Sequence, residues 1–138
     1  MVAGDQFTKW LAVLLLSNIA TVPVIGSFFH FTLIYNTGVA FGLLEGWGLW
    51  VTAGTLVVLL FLFRGFVTAS KDSPASRWPM VCMGLILGGA VGNLIDRIRL
   101  GAVIDFLDFR IWPVFNLADS CITVGAVWMA WHLMRRKE

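Results

Sequence analysis

Residues 93–120 read NLIDRIRLGAVIDFLDFRIWPVFNLADS and contain four aspartates, Asp96, Asp105, Asp108 and Asp119. They make up half of the eight acidic residues in a chain of 138 residues. The segments on either side are strongly apolar, and an ionisable side chain at membrane depth is costly and by default marks a functional site. The stretch therefore indicates a membrane-embedded fold with a polar site at one boundary of its apolar segments.

The overall composition is that of a membrane domain. Hydrophobic residues make up 59% of the chain and charged residues 13%, with a mean hydropathy of +0.85, whereas soluble domains are usually ~45–50% apolar and ~25% charged. The length fits one domain, so we expect residues 1–138 to form a single membrane-embedded unit. The net charge of +2 is too small to indicate nucleic-acid binding, and the basic residues lie in short clusters.

The cysteines and histidines do not suggest a metal site. Cys82 and Cys121 each lie inside an apolar run without CxxC spacing, and His30 and His132 are isolated in the sequence. This pattern is typical of buried thiols. We expect no metal and no cofactor.

Three segments have the length and apolarity of bilayer-spanning helices, which need ~20 mostly apolar residues. They are residues 47–63, 78–93 and 116–134, and tryptophans lie near their ends, as interfacial aromatics do. Six of the ten basic residues fall in the connector 64–77 and in the tail after 134. Because positive loops face the cytoplasm, the aspartate-rich stretch is expected on the opposite side.

Residues 22–46, VPVIGSFFHFTLIYNTGVAFGLLEG, are rich in β-branched and aromatic residues and are interrupted by glycines. This pattern favours short strands at the membrane surface, with a buried helix as the rival interpretation. Residues 10–16, WLAVLLL, fit either the short apolar region of a signal peptide or the stub of a spanning helix. Only four residues precede Asp5, so a complete first span is not expected in this chain.

Asp119 is predicted to lie in the first turn of the last helix. Pro113 breaks the chain before it, and Asn116 is a good N-cap residue. Asp119 then lies three residues later, on the side of Asn116, where the helix dipole favours a carboxylate. It serves either a functional site or simply a capping pattern.

Asp105 and Asp108 lie in the alternating run AVIDFLDF, which fits a strand or a surface segment. In a strand their odd separation points them to opposite faces. Asp105 has the more apolar neighbours and is the better candidate to face Asp119. Asp108, close to Arg110, is predicted to form a solvated ion pair.

The residues Asn93, Asp96 and Arg97 have i, i+3, i+4 spacing and share one face at a helix end. They could belong to a site or form an interfacial polar cap. Two carboxylates held close together in an apolar site cannot both ionise easily, so they share a proton. This is the chemistry of an aspartic peptidase, in which one carboxylate activates water and the other protonates the carbonyl oxygen. If Asp119 keeps the charge at its helix N-terminus, Asp105 carries the proton.

Five motifs resemble the lipoprotein signal peptidase family, the bacterial signal peptidase II enzymes, in family order and over most of the chain. They are DQFTK (5–9), YNTGVAFG (35–42), GGAVGNLIDR (88–97), VIDF (103–106) and FNLADS (115–120). The resemblance implies an inner-membrane aspartic endopeptidase. Such an enzyme cuts the signal peptide from a prolipoprotein just before its diacylglyceryl-modified cysteine.

The resemblance also implies the roles of individual residues. Asp105 and Asp119 would be the catalytic dyad. Asp96 is the rival for a direct role, but it is assigned a supporting one because its neighbour Arg97 can tie it to the helix end. The residues implied in substrate binding or in support of the dyad are Asn36, Asn93, Asp96, Arg97, Asn116, Asp5 and Lys9.

The family fold is all-α, with four transmembrane helices, both ends in the cytoplasm and a small extracytoplasmic β platform formed here by 22–46. Only MVAG precedes DQFTK, so the first helix is expected to be truncated, with three full spans remaining and WLAVLLL belonging to the mature enzyme. The resemblance further implies an active site at the extracytoplasmic face, contact with membrane lipid, inhibition by globomycin-type cyclic peptides and a monomeric state.

Three alternatives remain open from the residues alone. Membrane carboxylates and asparagines also suit a proton-coupled transporter subunit, although the carboxylates here gather at one boundary and no inverted repeat is visible. The polar residues could also be interhelical hydrogen bonds of a non-catalytic assembly protein. The third alternative is a family member inactivated by truncation.

Overall fold

The computed structural model describes residues 1–38, 48–72 and 78–135. Within them the chain forms four helices and one three-stranded antiparallel sheet. In chain order the elements are α1 (Val2–Leu16), β1 (Thr21–Ile25), β2 (Phe29–Asn36), α2 (Gly48–Asp72), α3 (Trp78–Leu100), β3 (Val103–Asp108) and α4 (Leu117–Arg135).

The described residues of the three predicted apolar segments are helical, apart from Asn116 just before α4, but two of the helices run further than predicted. Helix α2 continues to Asp72, so most of the predicted connector 64–77 is helix, and α3 continues past Asn93 to Leu100. Hydropathy marks where a helix is apolar enough for lipid, whereas the backbone hydrogen bonds continue until a residue stops them. For α3 that residue is Gly101, which has a φ of +71° and donates its N–H to the carbonyl of Arg97 at 3.0 Å.

One helix among the described residues, α3, is long and apolar enough to cross a membrane, with a mean hydropathy of 1.6. A shorter apolar helical stretch covers Ala53–Arg64. Helix α4 begins within one residue of its predicted start.

The strands predicted in segment 22–46 are found over residues 21–36, where the helical alternative is wrong; residues 39–47 of that segment lie outside the described residues. The strand order is β1-β2-β3, and β3 brings the aspartate run into the same sheet. In the register of β2 and β3, Ile34 is opposite Asp105 and Asn36 is opposite Val103. The carboxylate of Asp105 thus lies next to the last residue of β2.

Glycines allow α3 and α4 to approach each other closely. A Cβ added at Gly89 would lie 2.5 Å from the carbonyl oxygen of Ala118, and one added at Gly125 would lie 2.8 Å from that of Cys82. Small residues permit this kind of contact between membrane helices. The contact brings the C-terminal half of α3 against the first turns of α4, where the candidate site lies.

Helix α1 packs against the sheet. Ala12 and Leu16 form a small buried core with Phe106, and four partly buried residues surround it: Val22, Phe31, Leu33 and Leu107. The segment WLAVLLL is therefore the C-terminal half of a 15-residue helix with one face against β2 and β3. Its other face is apolar too, since Leu14 and Leu15 are exposed.

Candidate active site

A cleft of about 400 Å³ lies where β3, the end of β2, α3 and α4 meet, and we call it the aspartate cleft. Its polar lining includes Asn36, Asn93, Arg97, Asp105 and Asp119. The rest of the lining is mainly apolar, including Trp112, Pro113, Val114, Phe115 and Ile122. Five of the nine residues proposed from the sequence thus share one cavity.

Asp105 lies in β3 and is only 2% exposed. Each of its carboxylate oxygens accepts an amide hydrogen, Oδ2 from Asn36 Nδ2 at 3.0 Å and Oδ1 from Asn116 Nδ2 at 2.7 Å. Burial, together with the charge of Asp119, raises the pKa of Asp105 to about 7 against the opposing effects of the two amides and of the Lys9 charge. Asp105 can therefore hold a proton at neutral pH.

Asp119 lies in the first turn of α4, as predicted. Its N–H donates to Asn116 Oδ1 at 2.9 Å, and the N–H of Asn116 donates back to Asp119 Oδ2 at 3.3 Å. This reciprocal pair confirms Asn116 as the N-cap. The other oxygen, Oδ1, accepts a hydrogen bond from Asn93 Nδ2 at 2.8 Å. The carboxylate does more than cap its helix, since α3 holds it as well.

The two carboxylates are linked through amide side chains. Asn116 donates to Asp105 from its side chain and to Asp119 from its backbone, and its Nδ2 also donates to Asn93 Oδ1 at 3.0 Å. Asn116 is fully buried and lies behind the aspartate cleft. The charge of Asp119 acts on Asp105, so the pair is electrostatically coupled.

Behind the cleft lies a buried charge cluster, formed by Asp5, Lys9 and Asp96 together with Gln6. Lys9 Nζ is 2.9 Å from Asp5 Oδ2 and 2.7 Å from Asp96 Oδ2, and all three side chains are at most 2% exposed. Gln6 Nε2 donates to Asp96 Oδ1 at 2.9 Å. The cluster joins α1 to α3, although Asp96 lies far from the other three residues in the sequence.

The ion-pair partner of Asp96 is Lys9. The sequence suggested only that Arg97 can tie Asp96 to the helix end, since adjacent residues need not pair; in the structure Asp96 pairs with Lys9 and accepts the backbone N–H of Ile104 at 3.2 Å. Adjacent residues on a helix point in different directions, and Arg97 lines the cleft instead. Sequence reasoning also missed Gln6, whose only signal was its place inside the DQFTK motif.

Arg97 and Asn36 meet at the turn that follows β2. Arg97 Nη2 lies 3.5 Å from the carbonyl oxygen of Gly38, and the N–H of Gly38 donates to Asn36 Oδ1 at 3.0 Å. Arg97 also interacts electrostatically with Asp119 and Asp105. The cleft therefore holds one guanidinium beside its two carboxylates.

Asp108 pairs with Arg110, as predicted, but it is not solvated. It is 5% exposed and accepts hydrogen bonds from Thr32 Oγ1 at 2.7 Å and from the N–H of Arg110 at 2.8 Å. Burial opposes ionisation, but these bonds and the Arg110 charge together hold the pKa of Asp108 below its usual value. Asp108 lies away from the cleft lining, in agreement with the predicted opposite faces of Asp105 and Asp108.

The described residues contain no group of three or more His, Cys, Asp or Glu side chains that could hold a metal ion. Both cysteines are free thiols. Cys82 is buried as predicted, whereas Cys121 is only partly buried.

The fold and the site together define a helical membrane protein with a coupled pair of carboxylates, the buried Asp105 and the partly buried Asp119. Comparison with known sequences identifies the family: the sequence model described as Signal peptidase (SPase) II matches residues 1–135. The chain belongs to the signal peptidase II family.

Individual relatives agree over nearly the whole chain. The lipoprotein signal peptidase of Moorella thermoacetica is 42% identical over 134 residues, covering 97% of this chain and 87% of the relative. That of Caldanaerobacter subterraneus subsp. tengcongensis is 47% identical over 124 residues, covering 89% and 83%. These relatives do not favour the transporter alternative.

Two solved structures described as bacterial membrane enzymes have the same fold. One superimposes with a TM-score of 0.87 at 31% identity and covers 99% of this chain and 84% of that chain. The other has a TM-score of 0.80 at 32% identity, with 96% and 86% covered. The protein is therefore a membrane protein, as its composition predicted.

Proposed function

We propose that the protein is an aspartic endopeptidase that removes the signal peptide from diacylglyceryl-modified prolipoproteins, cutting just before the lipidated cysteine. Membership of the signal peptidase II family supports the reaction and the class of substrate. The observation that carries the aspartic mechanism is the pair Asp105 and Asp119, held by amide donors in one cleft.

In this mechanism Asp105 is the acid and Asp119 the base. Asp119 takes a proton from a water molecule as the water oxygen bonds to the scissile carbonyl carbon, and Asp105 gives its proton to the carbonyl oxygen. The C–N bond then breaks, the proton on Asp119 passes to the leaving nitrogen, and the hydroxyl of the intermediate returns a proton to Asp105. The raised pKa of Asp105 and the position of Asp119 at a helix N-terminus support this assignment.

The other polar residues have supporting roles. Asn36 and Arg97 line the cleft beside the turn at Gly38 and bind the substrate backbone. Asn93 and Asn116 orient the dyad through the hydrogen bonds described above. Asp5, Lys9 and Asp96 hold α1 and α3 together behind the cleft and do not touch substrate.

The proposal includes the setting of the enzyme. The chain forms a single, monomeric domain in the bacterial inner membrane, with α2, α3 and α4 as spans and α1 contributing to the first of four transmembrane helices. The cleft opens at the extracytoplasmic face, near the acyl chains of the substrate and membrane lipid. The position of the sheet at the same end as the cleft supports this orientation, as does Arg135 at the other end of α4. Globomycin-type cyclic peptides bind in the cleft.

A cleavage assay tests the proposal. The purified protein in liposomes is given a diacylglyceryl-modified prolipoprotein, and Asp105→Asn and Asp119→Asn are compared with the wild type. Each variant should lose ~10²–10⁴-fold or more in kcat, because each removes an acid or a base from the reaction. Asp108→Asn, in the same strand but outside the cleft, is the matched control and should keep its activity.

Two outcomes would contradict the proposal. Cleavage that survives both dyad substitutions would exclude the aspartic mechanism. A folded wild type that does not cleave would indicate an inactive family member. Inhibition of wild-type cleavage by a globomycin-type peptide, measured in the same assay, tests the assignment of the cleft.

A further inference from the structure

Lys9 makes a third contact that its ion pairs do not explain. Its Nζ is 2.8 Å from Asn93 Oδ1, in addition to the two carboxylates of the buried charge cluster. A lysine ammonium has three N–H donors. All three are therefore directed at protein acceptors, two on charged groups and one on an amide.

The amide of Asn93 is held at both ends. Its Oδ1 accepts from Lys9 Nζ at 2.8 Å and from Asn116 Nδ2 at 3.0 Å, which occupies both lone pairs. Its Nδ2 donates to Asp119 Oδ1 at 2.8 Å. Turning the amide over would bring an NH₂ group against an ammonium and a second NH₂ group, and would present an oxygen to the carboxylate of Asp119.

Of the two donors to Asn93 Oδ1, Lys9 holds the amide more firmly. Asn116 Nδ2 has two hydrogens but lies within hydrogen-bond distance of three acceptors, at 2.7 Å from Asp105 Oδ1, 3.0 Å from Asn93 Oδ1 and 3.2 Å from the carbonyl of Ile104. The hydrogen bond from Lys9 is shorter and charged, and bonds from ionised donors are the stronger ones. Lys9 is also 1% exposed, so water does not compete for it.

We propose that Lys9 is a positioning residue that acts through Asn93: it fixes the orientation of the Asn93 amide, and the amide then fixes the position and charge of the Asp119 carboxylate. This inference rests on the proposed function and gives Lys9 a role in the reaction without contact to substrate. Asp5 and Asp96 hold the ammonium in place.

The test keeps the net charge of the buried charge cluster unchanged. Lys9→Met alone would strand two carboxylates, so it is combined with Asp96→Asn, which removes one charge of each sign and leaves only Asp5 without its cation. This double variant should lose about 10- to 100-fold in kcat with little change in KM, since it weakens a hydrogen bond to a charged catalytic group and touches no substrate contact. The acidic limb of its kcat–pH profile should shift to higher pH by roughly one pH unit.

Charged and titratable groups on four elements surround the path from Lys9 through Asn93 to Asp119. All of them are considered when the pH profile is interpreted. They are Asp5 and Lys9 on α1, Asp96 and Arg97 on α3, Asp105 on β3, and Asp119 and Cys121 on α4. Gln6→Leu is the matched control, because Gln6 donates to Asp96 and Asp5 and has no hydrogen bond to Asn93. It should lower stability and leave the pH profile in place.

A double-mutant cycle separates a positioning role from a structural one. In an Asn93→Ala background, adding Lys9→Met/Asp96→Asn should cost no further kcat per folded enzyme, because the path is already broken. Losses that multiply would overturn the proposal, as would an equal shift of the pH profile in Gln6→Leu. If the Asp96→Asn combination does not fold, Lys9→Met/Asp5→Asn gives the same charge balance.

A second readout needs no substrate and so separates this inference from the proposed function. In protein labelled with ¹⁵N-asparagine, the Asn93 side-chain amide is assigned by its loss in Asn93→Ala. In the wild type its two protons should exchange slowly with water. In Lys9→Met/Asp96→Asn and Lys9→Met/Asp5→Asn they should exchange at least about tenfold faster, because the hydrogen bond from Lys9 to the amide is lost. Unchanged exchange in a folded variant would exclude Lys9 as the anchor even if the enzyme cleaves.

Discussion

Two pairs of aspartates lie side by side in this protein, and their carboxylates are bound by different groups. Asp5 and Asp96 share the ammonium of Lys9 within 2.9 Å. Among the described residues Asp105 receives amide hydrogens from Asn36 and Asn116, and Asp119 receives amide hydrogens of Asn93 and of its own helix start. A full positive charge makes ionised carboxylates stable in an apolar interior, whereas amides satisfy their oxygens without cancelling their charge.

The difference separates structure from chemistry. The pair bound to Lys9 holds α1 against α3. Among the described residues no cation is bonded directly to the pair in the cleft, and burial and mutual repulsion keep a proton on Asp105 near neutral pH. A carboxyl group that can give and take a proton is useful for peptide hydrolysis.

The largest expected effect on stability comes from removing the ammonium of Lys9, which Asp5 and Asp96 share. Lys9→Met leaves Asp5 and Asp96 buried without a counter-charge, and breaking a buried ion pair in this way costs ~3–5 kcal/mol. The free energy of unfolding, measured by denaturant titration in detergent micelles, should fall by that amount. Adding Asp96→Asn should restore part of it, because one stranded carboxylate remains instead of two, and a single variant as stable as the wild type would show that the cluster does not hold the helices together.

The second test uses the pH dependence of stability. The pKa of Asp105 is raised from 3.8 to about 7, so the folded protein binds a proton that the unfolded chain has released. The stability from this residue is complete below pH 3.8 and is lost as pH rises to about 7, at up to ~1.4 kcal/mol per pH unit. Asp105→Asn cannot titrate, so the difference in unfolding free energy between the two proteins should change across this range. A constant difference would place the proton elsewhere.

Local sequence patterns predicted the positions of the two aspartates of the aspartate cleft well. Pro113, Asn116 and Asp119 gave the start of α4 to within one residue, because a proline break and an N-cap act over a few residues. The alternation around Asp105 predicted a strand with Asp108 on its other face. Both features depend on the covalent neighbourhood, so a single sequence reveals them.

The buried charge cluster depends on contacts that local sequence patterns do not encode. The ammonium that binds Asp96 comes from Lys9, far away in the chain, and nothing in the sequence around Asp96 indicates this partner. Gln6 was missed for the same reason. Helices α2 and α3 were predicted too short because hydropathy reports the apolar part of a helix and not its last hydrogen bond.

A third, smaller effect tests whether the two regions are mechanically linked. A Cβ at Gly89 would lie 2.5 Å from the carbonyl of Ala118, the residue whose N–H binds Asp5 Oδ1 and which precedes Asp119. Gly89→Ala should force α3 and α4 apart and cost ~1–3 kcal/mol. Activity should fall with it, because both regions span this contact. Gly84→Ala, with nothing within 4 Å of the added carbon, is the control and should be neutral or slightly stabilising.

The smallest effect concerns Asp108, a buried aspartate of the same strand as Asp105 but with the opposite pH behaviour. Its pKa is held below the usual value despite burial, by Thr32 and by the N–H and charge of Arg110. Its stabilisation is therefore present above the unfolded pKa and lost as pH falls through the lower, folded pKa, the reverse of Asp105. Asp108→Asn should cost about 1 kcal/mol at neutral pH, the value of a typical hydrogen bond, and nothing in strong acid. Thermal unfolding of the variant and the wild type at a series of pH values measures this. A cost that grows towards acid would mean that Asp108, like Asp105, binds a proton on folding, and would remove the difference between the two faces of β3.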